Sequence, residues 1–329
     1  MIEFPNLFSG VAFHVDSAAF AVFGFKVYWY GIIITAAVVL GIAYGVKFAG
    51  RAGILADDVF EIAFWGVLCG VIGARTYYVI FSPTKISLSD AVFGIRDGGL
   101  AIYGGLIGAV LGGFIAAKVK KTKFPPLADL IGIGFLIGHS IGRWGNFFNQ
   151  EAYGAATAGN LPWGMSGDKI MAELAQSGTD INALVHPCFL YESMWCLIGL
   201  IVLHFYMRKF KSFDGEIFLL YLVWYGSGRA FIESLRADSL MVGGLRISQV
   251  LAVSSAALAL GLFLYFKTAL PKKNYVMYKD TEESRLLMRE RHAKSNFEKE
   301  KEKAKDSFRE TKRALTDPFA ENIVDDKKE

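Results

Sequence analysis

The chain has 329 residues, 53% of them hydrophobic and 20% charged, with a formal net charge of +4 and a mean hydropathy of +0.36. These averages combine unlike parts: residues 271–329 hold 16 Lys and Arg and 14 Asp and Glu, whereas residues 1–270 are only about 13% charged, half the usual share in soluble domains. A soluble globular enzyme is thereby excluded. Three cysteines without paired spacing, Cys69, Cys188 and Cys196, exclude a disulfide scaffold and a zinc ribbon, and the small, dispersed charge gives no footprint for nucleic acid.

Residues 1–25 carry Glu3, His14 and Asp16 and no small-residue cleavage site, so the first apolar stretch is expected to be a retained span, not a signal peptide. Three windows, 27–46, 98–117 and 247–266, are uncharged for about 20 residues, the length a helix needs to cross the hydrocarbon core. Four shorter apolar windows, 62–74, 130–142, 193–207 and 217–228, are closely bounded by ionisable side chains. Between clear spans they read as further spans with polar residues inside their ends. The expected fold is an all-α polytopic membrane protein with seven transmembrane helices.

Basic residues fall at every second connection: Lys47 and Arg51, then Lys118, Lys120, Lys121 and Lys123, then Arg208, Lys209 and Lys211, then Lys267, Lys272 and Lys273. Because Lys and Arg accumulate on the cytoplasmic side, the N-terminus is expected outside and the C-terminus in the cytoplasm, with segments 81–97, 145–186 and 234–246 on the outer side. Two domains are expected: a membrane-embedded catalytic domain over 1–270 and a charged cytoplasmic tail over 271–329. The tail contains Glu-Lys-Glu-Lys-Glu-Lys-Ala-Lys305, reads as a solvated helix or a disordered extension, and is expected to be dispensable for chemistry.

Charged groups near a span cost about 2.5–3.5 kcal/mol each on insertion scales, so several at one depth require a reason. Arg143 and Asn146 close the fourth span, Arg229, Glu233 and Arg236 close the sixth, and His186, Tyr191 and Glu192 open the fifth, all toward the outer side. The spacing of Arg229, Glu233 and Arg236 predicts one shared helix face. An Arg229–Glu233 ion pair could simply seal the bundle, whereas unmatched arginines on two spans at one level favour a bound anion. Arg236 and Arg246 are also explained by snorkelling to headgroups. Gly104 and Gly105, beside Tyr103 at a helix start, suit either close backbone approach to a ligand or helix packing. His139 shares the face of Arg143 and is either a hydrogen-bonded bundle residue or a catalytic one. Cys69 and Cys196 are expected to pack, and Cys188, beside Pro187, to be more exposed.

Five segments carry a resemblance: Trp29-Tyr-Gly31, Gly98-Gly-Leu-Ala-Ile-Tyr-Gly-Gly-Leu-Ile-Gly108, Gly142-Arg-Trp-Gly-Asn-Phe-Phe-Asn-Gln-Glu151 with Gly154, His186-Pro-Cys-Phe-Leu-Tyr-Glu192, and Arg229-Ala-Phe-Ile-Glu233. In this order and over about residues 29–250, the chain resembles the prolipoprotein diacylglyceryl transferase family. The resemblance implies transfer of the diacylglyceryl group from phosphatidylglycerol to the lipobox cysteine of a preprolipoprotein, with release of glycerol 1-phosphate at the outer side of the bacterial plasma membrane. It implies catalytic roles for Arg143, Arg229, Glu233 and Tyr103, and contacts to phosphatidylglycerol from Arg143, Asn146, Tyr30, Gly104 and Gly154. Many family members have His where this chain has Tyr103, so a His base cannot be carried over: a tyrosine ionises near pH 10. No metal site and no soluble cofactor is expected. A transporter would need charges through the full depth of the bundle. A lipid-binding scaffold would need the arginines but not Tyr30, Asn146 or Glu233.

Overall fold

A computed structural model describes residues 1–7, 10–82, 86–94, 98–157, 159, 161–237 and 241–316. Asp97, the residue before the glycine-rich motif, and tail residues 317–329 lie outside the described residues. The chain forms two compact units, Met1–Lys279 and Asp280–Glu329.

Seven long helices of the first unit coincide with the seven apolar windows: α1 (Trp29–Phe48), α2 (Ala56–Phe81), α4 (Ile102–Val119), α5 (Phe124–Asn149), α7 (Cys188–Lys209), α8 (Glu216–Leu235) and α9 (Ile247–Ala269). Short helices α3 (Leu88–Phe93) and α6 (Asp168–Gln176) lie in connections, and α10 (Glu282–Thr316) makes up the described part of the second unit. Among the described residues six helices, α1, α2, α4, α5, α7 and α9, are long and apolar enough to cross a membrane. The remaining helix, α8, is continuous over 20 residues, but its apolar sequence is broken by Gly226-Ser-Gly228, Arg229 and Glu233.

Helix α5 is the centre of the bundle, with 56% of its apolar window buried, against 11% for α9 at the periphery. Its neighbours are pinned to it by polar contacts that an apolar interior strengthens. Ser193 on α7 donates to the Ser140 carbonyl at 2.6 Å and accepts from the Trp144 indole at 3.2 Å. Asp129 accepts from the amides of Gly215 and Phe218 at 2.9 and 3.0 Å, tying α5 to the start of α8. Helices α7 and α8 are joined by Trp195 and Trp224, stacked at 4.8 Å, each indole donating to the other's carbonyl. Glycines bring α2 and α4 together: a Cβ on Gly104 or Gly108 would strike the backbone of Gly73 or Cys69. Gly104 therefore serves helix packing here.

Among the described residues seven short strands accompany the helices: β1 (Ile2–Phe4), β2 (Val11–Phe13), β3 (Ala18–Val22), β4 (Phe25–Tyr28), β5 (Ser166–Gly167), β6 (Met241–Val242) and β7 (Leu245–Arg246). Strand β1 pairs antiparallel with β2 and β5, and β3–β4 and β6–β7 are hairpins. The all-α expectation holds for the architecture, and these strands, at two to five residues, are too short to show a period of two in the sequence. Ile2, Phe4, Met165, Ile170 and Val185 pack on Phe147 and Phe189, so the N-terminal segment and the α5–α7 connection form one cap over the C-terminal end of α5.

Buried charges occur at both ends of the bundle, not only toward the arginine-bearing end. Asp129 and Glu216 are buried at the opposite end, paired with Lys211 at 2.8 Å and with Lys267 at 2.5 Å. Cys188, expected to be exposed, is buried.

Residues 271–279 group with the first unit because Asp214, in the α7–α8 turn, accepts from the Tyr275 hydroxyl at 2.8 Å and the Tyr278 amide at 2.6 Å. We predict that truncation after Lys279 leaves turnover within about twofold of the intact chain, because the tail's composition suits a solvated extension. A cut after Lys273 should lower the melting temperature, since Asp214 loses its contacts to Tyr275 and Tyr278 and keeps the one to Lys211. Assay and thermal unfolding of the two truncations check this, and loss of turnover in a well-folded 1–279 protein would contradict it.

Candidate active site

Glu192 organises the charged residues. It lies in the first turns of α7, which the Ser193 and tryptophan contacts fix against α5 and α8. One carboxylate oxygen pairs with Arg143 Nε from α5, and the other accepts from Arg229 Nη1 on α8 at 2.6 Å. Arg229 Nη2 reaches Glu233, one helical turn on, at 2.7 Å. Two arginines from different helices thus share one carboxylate, more than an isolated sealing pair provides.

A cavity of about 550 Å³ adjoins this cluster, and among the described residues its charged lining is Arg143, Arg229, Arg236 and Glu151. Glu192 and Glu233 have almost fully buried side chains, while those of Arg143 and Arg229 are 19% and 14% exposed. The carboxylates therefore stand behind the guanidinium groups. They offset the cost of burying the cations and leave the remaining donors directed at the cavity.

Asn146 is one turn beyond Arg143 on α5. Its side-chain oxygen accepts from Arg143 Nη1 at 3.4 Å and its amide donates to Glu151 at 2.9 Å; Asn149 donates to the same carboxylate oxygen at 3.2 Å. Gln150 ends α5 in the left-handed region, which folds the chain back so that Glu151 meets both asparagines. Tyr30, in the first turn of α1, lines the cavity and lies so close to Gly145 that a Cβ there would come within 2.8 Å of its ring. His139 also lines the cavity, stacked on Tyr225 at 4.4 Å, with Nε2 3.3 Å from the Tyr221 hydroxyl.

Gly154 does not line the cavity. Its amide donates to the His186 carbonyl at 2.8 Å, it bridges to Arg236, and a Cβ would meet His186 at 2.6 Å and Cys188 at 2.9 Å. It positions the strand of chain that carries Arg236. Burial pushes the His186 imidazole below its ordinary pKa, and its Nδ1 lies 3.2 Å from the Tyr191 hydroxyl. Arg236 has extended backbone just past the end of α8, so it does not share the face of Arg229 and Glu233, yet it reaches the cavity. Arg246 donates to the backbone carbonyl of Glu233, an internal contact where snorkelling was the simpler expectation.

Tyr103 and Gly104 stand apart from these residues. Tyr103 is 61% exposed at the start of α4, with its ring 6.5 Å from that of Tyr77, and its neighbour Ile102 lines the cavity instead. Sequence reasoning placed Glu192 and Glu151 inside motifs but gave them no role. The available signal was charge balance: two intramembrane arginines at one depth call for a carboxylate, and Glu192 stands at that depth on a neighbouring span.

A model of the prolipoprotein diacylglyceryl transferase family matches residues 17–265. The phosphatidylglycerol–prolipoprotein diacylglyceryl transferase of Clostridioides difficile is 42% identical over 240 residues, 73% of this chain and 90% of that protein. The enzyme of the same name from Finegoldia magna is 40% identical over 254 residues, 77% of this chain and 96% of its own length. That of Bacillus cytotoxicus is 41% identical over 266 residues, 80% and 96% respectively. The match takes in every helix from α1 to α8, most of α9 and the whole arginine cluster. By this extent of similarity the chain belongs to the prolipoprotein diacylglyceryl transferase family.

Proposed function

We propose that the chain transfers the diacylglyceryl group of phosphatidylglycerol to the lipobox cysteine of a prolipoprotein signal peptide. A sulfur–carbon bond forms at the glycerol carbon that carries the phosphate, the carbon–oxygen bond breaks, and glycerol 1-phosphate leaves with the electron pair. The thiol proton is lost, so sulfur attacks as a thiolate. Negative charge grows on the phosphate as the bond breaks, and a fixed cation there lowers the barrier.

The observation that carries this reading is the pair Arg143 and Arg229, held on Glu192 at the wall of a cavity. Guanidinium stays charged and offers phosphate a planar fork of donors. Arg143 binds the phosphodiester with Asn146 beside it, Arg229 neutralises the leaving phosphate, and Glu233 orients Arg229. Tyr30 borders the headgroup. Gly154 supports the site by placing Arg236, and Gly104 by bringing α4 close to α2. The same arginines lower the pKa of an incoming thiol, which for free cysteine is near 8.5, and reduce the need for a strong protein base. Among the described residues, His139 and Glu151 line the cavity and are able to accept the thiol proton.

The chain crosses the bacterial plasma membrane seven times, with α8 as the additional span, the N-terminus and the arginine cavity outside, and the tail in the cytoplasm. The alternation of basic connections supports this direction. The membrane-embedded body is the catalytic domain and the charged tail a separate extension.

Tyr103 is outside the cavity lining, exposed at the start of α4 beside the lining residue Ile102, and its part is to orient the headgroup from the rim through its hydroxyl. Tyr103→Phe should lower turnover by about 2- to 10-fold, the loss of one hydrogen bond, and Tyr103→His should be tolerated. Loss of activity below detection in a folded Tyr103→Phe protein would give Tyr103 a direct part in proton transfer.

The test of the function is release of glycerol 1-phosphate from headgroup-labelled phosphatidylglycerol. Release should require a peptide with a free lipobox cysteine. A transporter or scaffold would bind or move the lipid intact, and absence of release with a competent peptide would overturn the proposal.

A further inference from the structure

A second cavity, of about 570 Å³, opens at the other end of the same helices. Asp129 lines it and Asn146 lines the arginine cavity. At 1.5 Å per residue along α5 the two are about 25 Å apart, close to the hydrocarbon thickness of a bilayer.

Among the described residues the charged lining of this second cavity is Arg51, Arg208, Lys209, Lys211 and Lys279 against one carboxylate, Asp129. That carboxylate is already satisfied, by Lys211 at 2.8 Å and by the amides of Gly215 and Phe218. Lys211 in turn is shared with Asp214 at 3.1 Å, so this pair of acids accounts for its charge. Arg51, in the turn after α1, and Arg208 and Lys209, in the last turn of α7, add their charge to the cavity from two separate helix ends. The guanidinium of Arg51 lies 5.2 Å from the Phe48 ring centroid, which restricts its position.

The wall carrying Met277 and Lys279 is built, because Tyr275 and Tyr278 are tied to Asp214. Basic side chains that merely marked the cytoplasmic side would not need to line one common cavity. Here they surround a volume that a phosphate group fits, with arginine forks suited to its oxygens.

We propose that this cavity is an anion site for a phosphate group, carried either by an anionic phospholipid of the leaflet opposite the arginine cavity or by soluble phosphate. The site is separate from the reaction centre and does not transform the phosphate compound it holds.

Native mass spectrometry of the delipidated full chain, titrated with phosphatidylglycerol or phosphatidylcholine, tests this. The intact chain should retain one more phosphatidylglycerol than a protein carrying Arg51→Gln and Arg208→Gln, whose affinity for that lipid should fall at least about tenfold. Phosphatidylcholine should not fill the extra position. A control carrying Lys118→Gln and Lys121→Gln removes equal charge outside the cavity and should keep the lipid. Equal retention by the Arg51/Arg208 variant, equal loss by the control, or equal binding of phosphatidylcholine would each overturn the site. Should the double variant not fold, the single substitutions Arg51→Gln and Arg208→Gln decide, each expected to weaken retention by about threefold. No weakening in either would overturn the site. Displacement of the extra lipid by millimolar inorganic phosphate supports the site and assigns it to soluble phosphate; persistence of the lipid supports the site and assigns it to the phospholipid.

Discussion

Arg143→Ala should reduce diacylglyceryl transfer by at least about 100-fold, because removal of one donor that stabilises developing charge in an enclosed site costs about 2.7–4 kcal/mol. A second loss adds to the first. Arg143 pairs with one oxygen of Glu192, so its removal leaves a buried carboxylate with Arg229 as its remaining ion-pair partner. Arg143→Lys restores charge without the planar fork, and the Asn146 oxygen that accepts from Nη1 would lose its donor geometry. Turnover in Arg143→Lys should therefore stay far below that of the intact chain. Steady-state kinetics on both variants, beside a thermal unfolding curve in the same detergent, separate loss of chemistry from loss of fold. Near-normal turnover in either variant would remove Arg143 from the site.

Glu192→Gln should have the next largest effect, about 10- to 100-fold in kcat, with a modest change in KM. The carboxylate is the shared anchor of Arg143 and Arg229, and an amide has one acceptor oxygen where the carboxylate has two. Its two arginines would then repel each other across the cavity wall. Glu233→Gln should cost less, since Arg229 keeps its 2.6 Å contact to Glu192. The two substitutions measured side by side rank the anchors. A larger loss in Glu233→Gln than in Glu192→Gln would show that the helical pair of α8, and not the interhelical bridge, sets the arginine geometry.

The seven long helices were legible because apolar runs of span length are a strong signal and require no knowledge of partners. The cap was not. Strands such as Ser166–Gly167 and Ile2–Phe4 owe their existence to pairing with distant residues, and two or three residues carry no periodicity of their own. The arginines were legible by their cost in a membrane, and the spacing of Arg229 and Glu233 gave their pairing correctly. The same spacing rule failed for Arg236, because α8 ends at Leu235 and the next residue has extended backbone. Glu192 illustrates the general limit: its importance lies in bridging α5 and α8 from α7, an interhelical relation that no spacing within one helix encodes. Gly104 and Tyr103 show the converse. Neighbours in one motif serve different surfaces, one packed on Gly73 and the other facing outward.

The central claim is that Arg143 and Arg229 serve the displacement of a phosphate from a glycerol carbon by a cysteine thiol. The most direct measurement is mass spectrometry of a lipobox peptide incubated with the purified chain and phosphatidylglycerol of defined acyl chains. The account predicts a mass increase equal to one diacylglyceryl group, located on the cysteine by fragmentation as a thioether, and absent with Arg143→Ala or with the cysteine alkylated beforehand. An unmodified peptide after incubation with the intact chain, or an identical adduct formed by Arg143→Ala at the same rate, would contradict it.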